Sequence, residues 1–200
     1  MIVVDMEASG LDPNKHSLLS IGAVEFEKPE NQFYGECRLF EGAQVDPDAL
    51  GINGFTEKQI VDQSRQKDEE LVKAFIDWSN LCEEQTLAGQ NVSTDRDFIR
   101  AAAARYHMNW TFAYRVLDLH SVAYFHHIKM GVKIPIKNKH SALNLDGISR
   151  YCGMSDEPMP HNGLTGAKLE AECFSRLFFD KELLDEYKQF KIPWLEKRVF

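Results

Sequence analysis

The sequence predicts an α/β fold on a mixed five-stranded sheet, antiparallel over its first three strands and parallel after that, with helices flanking it. Three observations predict this class. Residues 2–40 hold three segments rich in Val, Ile and Phe separated by turn clusters. The pattern then changes to the 3.6-residue spacing of helices. From residue 86 onward, short apolar segments alternate with helical ones, the order that adds parallel strands to a sheet.

Residues 2–7, 18–26 and 33–40 read as the strands of an antiparallel meander, with Gly10-Leu11-Asp12-Pro13 and Lys28-Pro29-Glu30-Asn31 as the turn clusters between them. A helix follows, with Leu71, Phe75, Trp78 and Cys82 on one face and Val72 and Ile76 beside it; Asp68, Glu69 and Glu70 suit its first turn. A strand at 86–91 leads into a helix over 94–106, and a strand at 115–119 leads into a third helix. Ser141 reads as the N-cap of a helix that stops at Gly153. Leu164, Ala167, Ala171, Phe174 and Phe178 mark the face of a last helix. No repeat, low-complexity tract or linker interrupts the 200 residues, so one domain over 1–200 is expected.

The composition narrows the possible functions. No apolar run approaches the ~20 residues needed to cross a bilayer, and the N-terminus has no basic stretch followed by an apolar one, so a soluble, cytoplasmic protein without membrane contact is expected. Cys37, Cys82, Cys152 and Cys173 lie far apart with no Cys-x-x-Cys pair, which suggests reduced, half-buried packing residues rather than a zinc or disulfide framework. A net charge of −8 argues against a general polyanion-binding surface, so contact with nucleic acid must be local or bridged by metal.

Asp5 and Glu7 stand two apart in a strand whose other residues are Ile2, Val3, Val4 and Met6, so both carboxylates project from the same face. Two adjacent acids in an apolar strand repel each other and are costly to desolvate unless a cation neutralises them; Mg²⁺ and Mn²⁺ prefer such oxygen donors. The plainer alternative is a solvated face. Asp95 opens a helix after a strand, where an acid complements the helix dipole without further role, or else delivers a third carboxylate to the same end of the sheet. His161 lies in the turn-like stretch Met159-Pro160-His161-Asn162-Gly163; beside a metal site it could take the proton of an attacking water.

These segments in this order resemble the DEDDh exonucleases, the RNase H-like superfamily of RNase T, oligoribonuclease and the proofreading subunit of bacterial DNA polymerase III. Val4-Asp5-Met6-Glu7-Ala8-Ser9-Gly10-Leu11-Asp12-Pro13 is similar to the first motif, and Gly89-Gln90-Asn91-Val92-Ser93-Thr94-Asp95-Arg96-Asp97-Phe98 to the second. His161-Asn162-Gly163-Leu164-Thr165-Gly166-Ala167 is similar to the third. The resemblance implies a phosphodiester hydrolase that uses two Mg²⁺ or Mn²⁺ ions to remove nucleotides singly from the 3′ end of a single strand. It implies that Asp5 bridges both ions, Glu7 binds one and helps hold the terminal 3′-hydroxyl, Asp95 supports the second, and His161 is the general base. Leu11 would wedge against the terminal bases, the 52–55 stretch with Phe55 would add apolar contact, and Ala8 and Asn91 complete the expected substrate contacts.

One departure stands out. The third motif places an aspartate five residues after its histidine, and here that position is Gly166. An engineered inactivating substitution, natural degeneration, or replacement by a neighbour would each account for it. The neighbour singled out is Glu170, one helical turn later on nearly the same face and leaning back toward the N-terminus. The expected function is therefore a metal-dependent 3′-to-5′ exonuclease on single-stranded DNA or RNA, impaired if the loss is uncompensated; the alternative is a catalytically inactive nucleic-acid-binding module of the same fold. An endonuclease of related fold is argued against by the His161 motif.

Residues 119–145 hold no acid, while Lys129, Lys133, Lys137 and Lys139 occur there with His120, His126, His127 and His140; this segment could track phosphates or simply be solvated. Relatives are often homodimers, and the aromatic stretch around Phe190, Trp194 and Phe200 could serve packing or association.

Overall fold

The apolar segments at the start of the chain fold as a meander whose central strands bury both faces against helices on either side. In the computed structural model, which describes residues 1–196, the meander is β1 (Ile2–Ala8), β2 (Leu18–Glu25) and β3 (Gln32–Glu36). Two short helices follow, α1 (Pro47–Asn53) and α2 (Glu57–Ile60), then α3 (Asp68–Ser79), β4 (Leu87–Gly89), α4 (Ser93–Arg105), β5 (Val116–Asp118) and α5 (Leu119–Lys129). A hairpin of β6 (Ile136–Lys137) and β7 (His140–Ser141) precedes α6 (Leu145–Tyr151), α7 (Gly163–Phe179), a 3-10 turn at Asp185–Tyr187 and α8 (Pro193–Glu196).

The sheet order is β3-β2-β1-β4-β5, with β1 antiparallel to β2 and parallel to β4, and β4 parallel to β5. This is the predicted mixed sheet. Its two faces carry separate cores. Ile2, Val4 and Ile21 pack with Leu71 and Phe75 of α3 and Phe98 and Ile99 of α4; Val3 and Val24 pack with Leu119 of α5, Ile148 of α6 and Ala167 and Phe174 of α7. The first turn of α7 lies directly on β2. A Cβ on Gly22 would sit 2.1 Å from both the carbonyl carbon of Gly163 and the nitrogen of Leu164, so only glycine permits this approach. Asn162 caps the helix, its Oδ1 accepting from the N–H groups of Leu164 (3.1 Å) and Thr165 (3.3 Å).

Several local expectations are corrected. The third strand ends at Glu36 rather than residue 40, because the main chain after Cys37 turns to pair elsewhere: Arg38 N–H donates to Gln66 O (3.0 Å) and Leu39 N–H to Ile60 O (2.8 Å). Ser141 belongs to the small hairpin, and the N-cap of α6 is Asn144, whose Oδ1 accepts from Gly147 N–H at 3.0 Å. The helices α1 and α2 carry ordinary boundary signals, an Asp46 cap followed by proline and a Thr56–Gln59 capping box, but are too short to show an apolar period. The four cysteines are free and buried rather than half-buried. Phe190 and Trp194 pack into the core beneath α6 and α7, while Phe200 lies outside the described residues. Among the described residues no helix is long and apolar enough to cross a membrane.

Candidate active site

On its α7 side, β1 runs Val3, Asp5, Glu7, so one face passes from core to acid within a single strand. Across the sheet these acids pair with positions of small side chain, Asp5 with Gly22, over which the first turn of α7 lies, and Glu7 with Ser20. Glu7 is buried and Asp5 half-buried. Asp95 reaches β1 from the first turn of α4, where its Oδ1 accepts the N–H of Met6 at 3.1 Å. The carboxylate is thus pinned to the strand as well as placed at a helix N-terminus.

Two further carboxylates join them. Glu170, on α7 and 2% exposed, accepts the N–H of Gln90 through Oε1 (3.1 Å), while its Oε2 is buried without a hydrogen-bond partner beside Gly89. Glu157 comes from the loop between α6 and α7. Its backbone N–H donates to Asp146 Oδ1 (3.2 Å), Oε2 lies 3.5 Å from His161 Nδ1, and Oε1 is buried with no partner. Glu157 is not among the residues that the sequence singles out. An acid in a loop has no periodicity to betray it, and the only hint is its place four residues before His161 in a proline-flanked stretch.

Burial raises all five groups, and for Asp5, Glu7 and Glu170 repulsion by others of the five adds to it. Burial first, then Glu157 and Asp95, pushes Glu7 up to about 8. Burial raises Asp95 to about 7 against the lowering effect of its own backbone hydrogen bond and that of Met6. Burial and then Asp146 raise Glu157 to about 7. Asp5 is held well above the usual carboxylate range by burial, then Glu170, Asp95, Glu7 and Glu157; Glu170 is raised by burial and then Asp95, with the Gln90 N–H opposing. Such a cluster is unfavourable as an anion and becomes favourable once divalent charge is supplied.

The remaining expected positions surround this acidic end. His161 is one-third exposed, and its main-chain N–H donates to Ile52 O at 3.1 Å, while Pro160 rests against Gly54. Leu11 stands 85% exposed on the loop after β1, Ile52 is 49% exposed, and Phe55 is half-buried. Ala8 is buried, and its carbonyl accepts from Asn53 Nδ2 at 3.0 Å, so its side chain offers little surface. Asn91, exposed at positive φ, lines an open groove of about 800 Å³ with Gln90, Asp118, Lys137, His140 and Arg150. The groove is linked to the carboxylates through Gln90, whose main-chain N–H donates to Glu170.

The basic segment divides. Lys129, Lys133, Lys137 and Lys139 are exposed, and Asn138 and Lys139 form the left-handed turn of the β6–β7 hairpin. His126 and His127 are buried instead, His126 bonded to the Tyr151 hydroxyl at 2.8 Å and His127 stacked on the Tyr151 ring; they are core histidines and do not face a strand of nucleic acid.

The chain matches the family model of the RNase T type, described as an exonuclease, over residues 2–171. Among solved structures it is similar to the nuclease domain of 3′hExo, a DEDDh family member bound to rAMP, at 19% identity and a TM-score of 0.68, covering 92% of this chain and 93% of that one. It is similar to Escherichia coli Exonuclease I in complex with a dA16 oligonucleotide at 14% identity and a TM-score of 0.70, covering 90% of this chain and 40% of that one. Exonuclease I from Methylocaldum szegediense gives 17% identity and a TM-score of 0.69 over 90% and 41%. The chain thus spans about two fifths of the Exonuclease I chains and nearly all of the 3′hExo domain; at these identities the likeness is one of fold.

Proposed function

The chain belongs to the RNase T exonuclease family, and we propose that it is a DEDDh-type, divalent-metal-dependent nuclease that shortens single-stranded DNA or RNA from the 3′ end. The observation that carries this reading is the convergence of Asp5, Glu7, Asp95, Glu157 and Glu170, from a strand, two helices and a loop, on one end of β1. An all-oxygen donor set suits Mg²⁺ or Mn²⁺, and the partnerless oxygens of Glu157 and Glu170 fit a bound cation. Among the described residues no three of these side chains form a preformed cage, so the ligands would have to close around the ions. Asp5, Glu7 and Asp95 would hold them, with Glu170 at the inner edge of the set.

When bound, such ions activate the attacking water and offset charge on the leaving oxygen. The protein's own groups do the rest. Glu157 faces Nδ1 of His161, which favours the tautomer with its proton there and leaves Nε2 to take the proton of water. Leu11 and the Ile52–Phe55 turn would give the terminal bases apolar surface, and Asn91 with Lys137 of the hairpin lines the groove that would receive the phosphates behind them.

Gly166 favours a second reading, a binding module of the same fold that holds a 3′ end without cutting it. Digestion of 5′-labelled single-stranded DNA and RNA with Mg²⁺ or Mn²⁺ separates the two; both sugars are used because their discrimination rests on contacts to the 2′-hydroxyl. A ladder shortening from the 3′ end, lost in Asp5→Asn by more than the roughly 100-fold that changes behind a metal ligand cost, supports the enzyme. Binding without shortening supports the module, and absence of both overturns the assignment.

A further inference from the structure

Gly166 sits in the first turns of α7 and faces β1. A Cβ built there would stand 2.0 Å from Asp5 Oδ2 and 3.1 Å from Glu157 Oε1, so the direction in which a residue at 166 would project is already filled by two carboxylates from elsewhere in the chain. Asp5 belongs to β1. Glu157 arrives from the α6–α7 loop, fixed at its backbone by Asp146 and by its side-chain approach to His161. Its side chain is only 6% exposed, yet Oε1 has no donor within reach. A carboxylate oxygen buried in this way forfeits its hydration without replacement unless something absent from the protein itself completes it.

Accepting the metal-dependent reading above, we infer that Glu157 supplies the carboxylate that position 166 lacks, as a ligand to a divalent ion shared with Asp5. The loop compensates for the helix: a glutamate brought from outside α7 reaches the place that an aspartate on α7 would occupy. Gly166 then leaves room for this arrangement, since a side chain there would make the flexible carboxylate ends of Asp5 and Glu157 swing aside. Glu170 does not fill this role, because its bonded oxygen faces Gln90 and its free one faces Gly89, on the β4 side of the cluster. Glu157 would serve the site through both oxygens, Oε1 toward the ion and Oε2 toward His161.

Mn²⁺ binding, followed by calorimetry and by the paramagnetic resonance of the free ion, tests this in the wild type, Glu157→Gln, Glu157→Gln with Gly166→Asp, and Asp5→Asn. Glu157→Gln is expected to weaken Mn²⁺ binding by about tenfold or more, with 3′-end digestion falling in parallel. Adding Gly166→Asp to it is expected to recover most of the binding, which a merely structural role of Glu157 would not allow. If the double variant does not fold, Glu157→Asp replaces it, and affinity above that of Glu157→Gln supports the ligand role. Wild-type Mn²⁺ affinity in Glu157→Gln, with binding abolished in Asp5→Asn, overturns the role of Glu157 and leaves the metal-dependent reading standing. Unchanged binding in both variants overturns the metal-dependent reading itself.

Discussion

Helix α7 buries two kinds of charge two residues apart. Glu172 and Arg176 are each wholly inaccessible, and every polar group they carry is used: Arg176 Nε donates to Glu172 Oε1 at 2.7 Å, its other nitrogens donate to Cys152 O (3.0 Å) and Tyr187 O (2.9 Å), and Glu172 Oε2 accepts from Leu183 and Leu184, both at 2.9 Å. Glu170 is almost as deeply buried, but it faces Asp5 and Asp95, with one oxygen bonded and the other idle. Residues two apart on a helix do not share a face, so the same helix can present a closed network to the 183–187 segment and an open one to β1. Burial alone says nothing about purpose. Whether the surroundings complete the charge separates a charge that holds the fold from one that awaits a ligand.

The sharpest way to break this distinction is Arg176→Met. Removing one partner of a completed pair should cost about 3–5 kcal/mol in urea unfolding, equally with and without Mn²⁺, because Glu172 is left buried and uncompensated. A loss under about 1 kcal/mol would mean that the pair is not what distinguishes this side of the helix.

The second expectation concerns the open side and runs with pH. A carboxyl group whose folded value is raised keeps its proton in the native state where the unfolded chain has lost it. Its contribution is therefore full below the ordinary carboxylate range and disappears as pH rises through the folded value. For Asp95 and Glu157 that value is about 7 and for Glu7 about 8, so the metal-free protein should melt at progressively lower temperature from pH 5 to pH 8. Each kcal/mol lost lowers the midpoint by roughly 2–4 °C in a chain of this size. Mn²⁺ should restore the loss, and its effect should grow with pH. Thermal scans in chelator and in Mn²⁺ at four pH values check both trends; a flat metal-free profile would remove the strain assigned to the cluster.

The smallest effect is expected from charges that are neither buried nor paired. Replacing Lys133, Lys137 and Lys139 together with alanine should leave folding unaltered and flatten the log–log salt dependence of single-strand binding by roughly 2, at ~0.7 for each phosphate that the protein no longer neutralises. Filter binding across a salt series measures it, and an unchanged slope would take the hairpin out of the substrate path.

How far these features can be read from the sequence follows from how local their signals are. Asp5 and Glu7 are legible because a strand of known period fixes their common face, and Asp95 because a strand-to-helix junction places it. Gly166 is legible as a gap but not as a fit: only the geometry shows that Asp5 and Glu157 already occupy its side-chain volume. Glu157 is hidden because its position depends on a loop folding back over the sheet, and no short-range pattern encodes that. His126 and His127 mislead in the opposite sense, since a run of bases without acids looks solvated until α5 is seen to turn both rings onto Tyr151 and one toward Trp194. The short helices α1 and α2 escape a reading by period because seven and four residues give too little of it.

The tie between His161 N–H and Ile52 O, with Pro160 against Gly54, couples two distant stretches of chain. Gly54 adopts a left-handed conformation at φ 72°, and a side chain there would press on Pro160 from 2.7 Å. Force applied to the Ile52–Phe55 turn is therefore transmitted to the backbone of the histidine, and a change that looks remote from the carboxylates would register first as a misaimed imidazole.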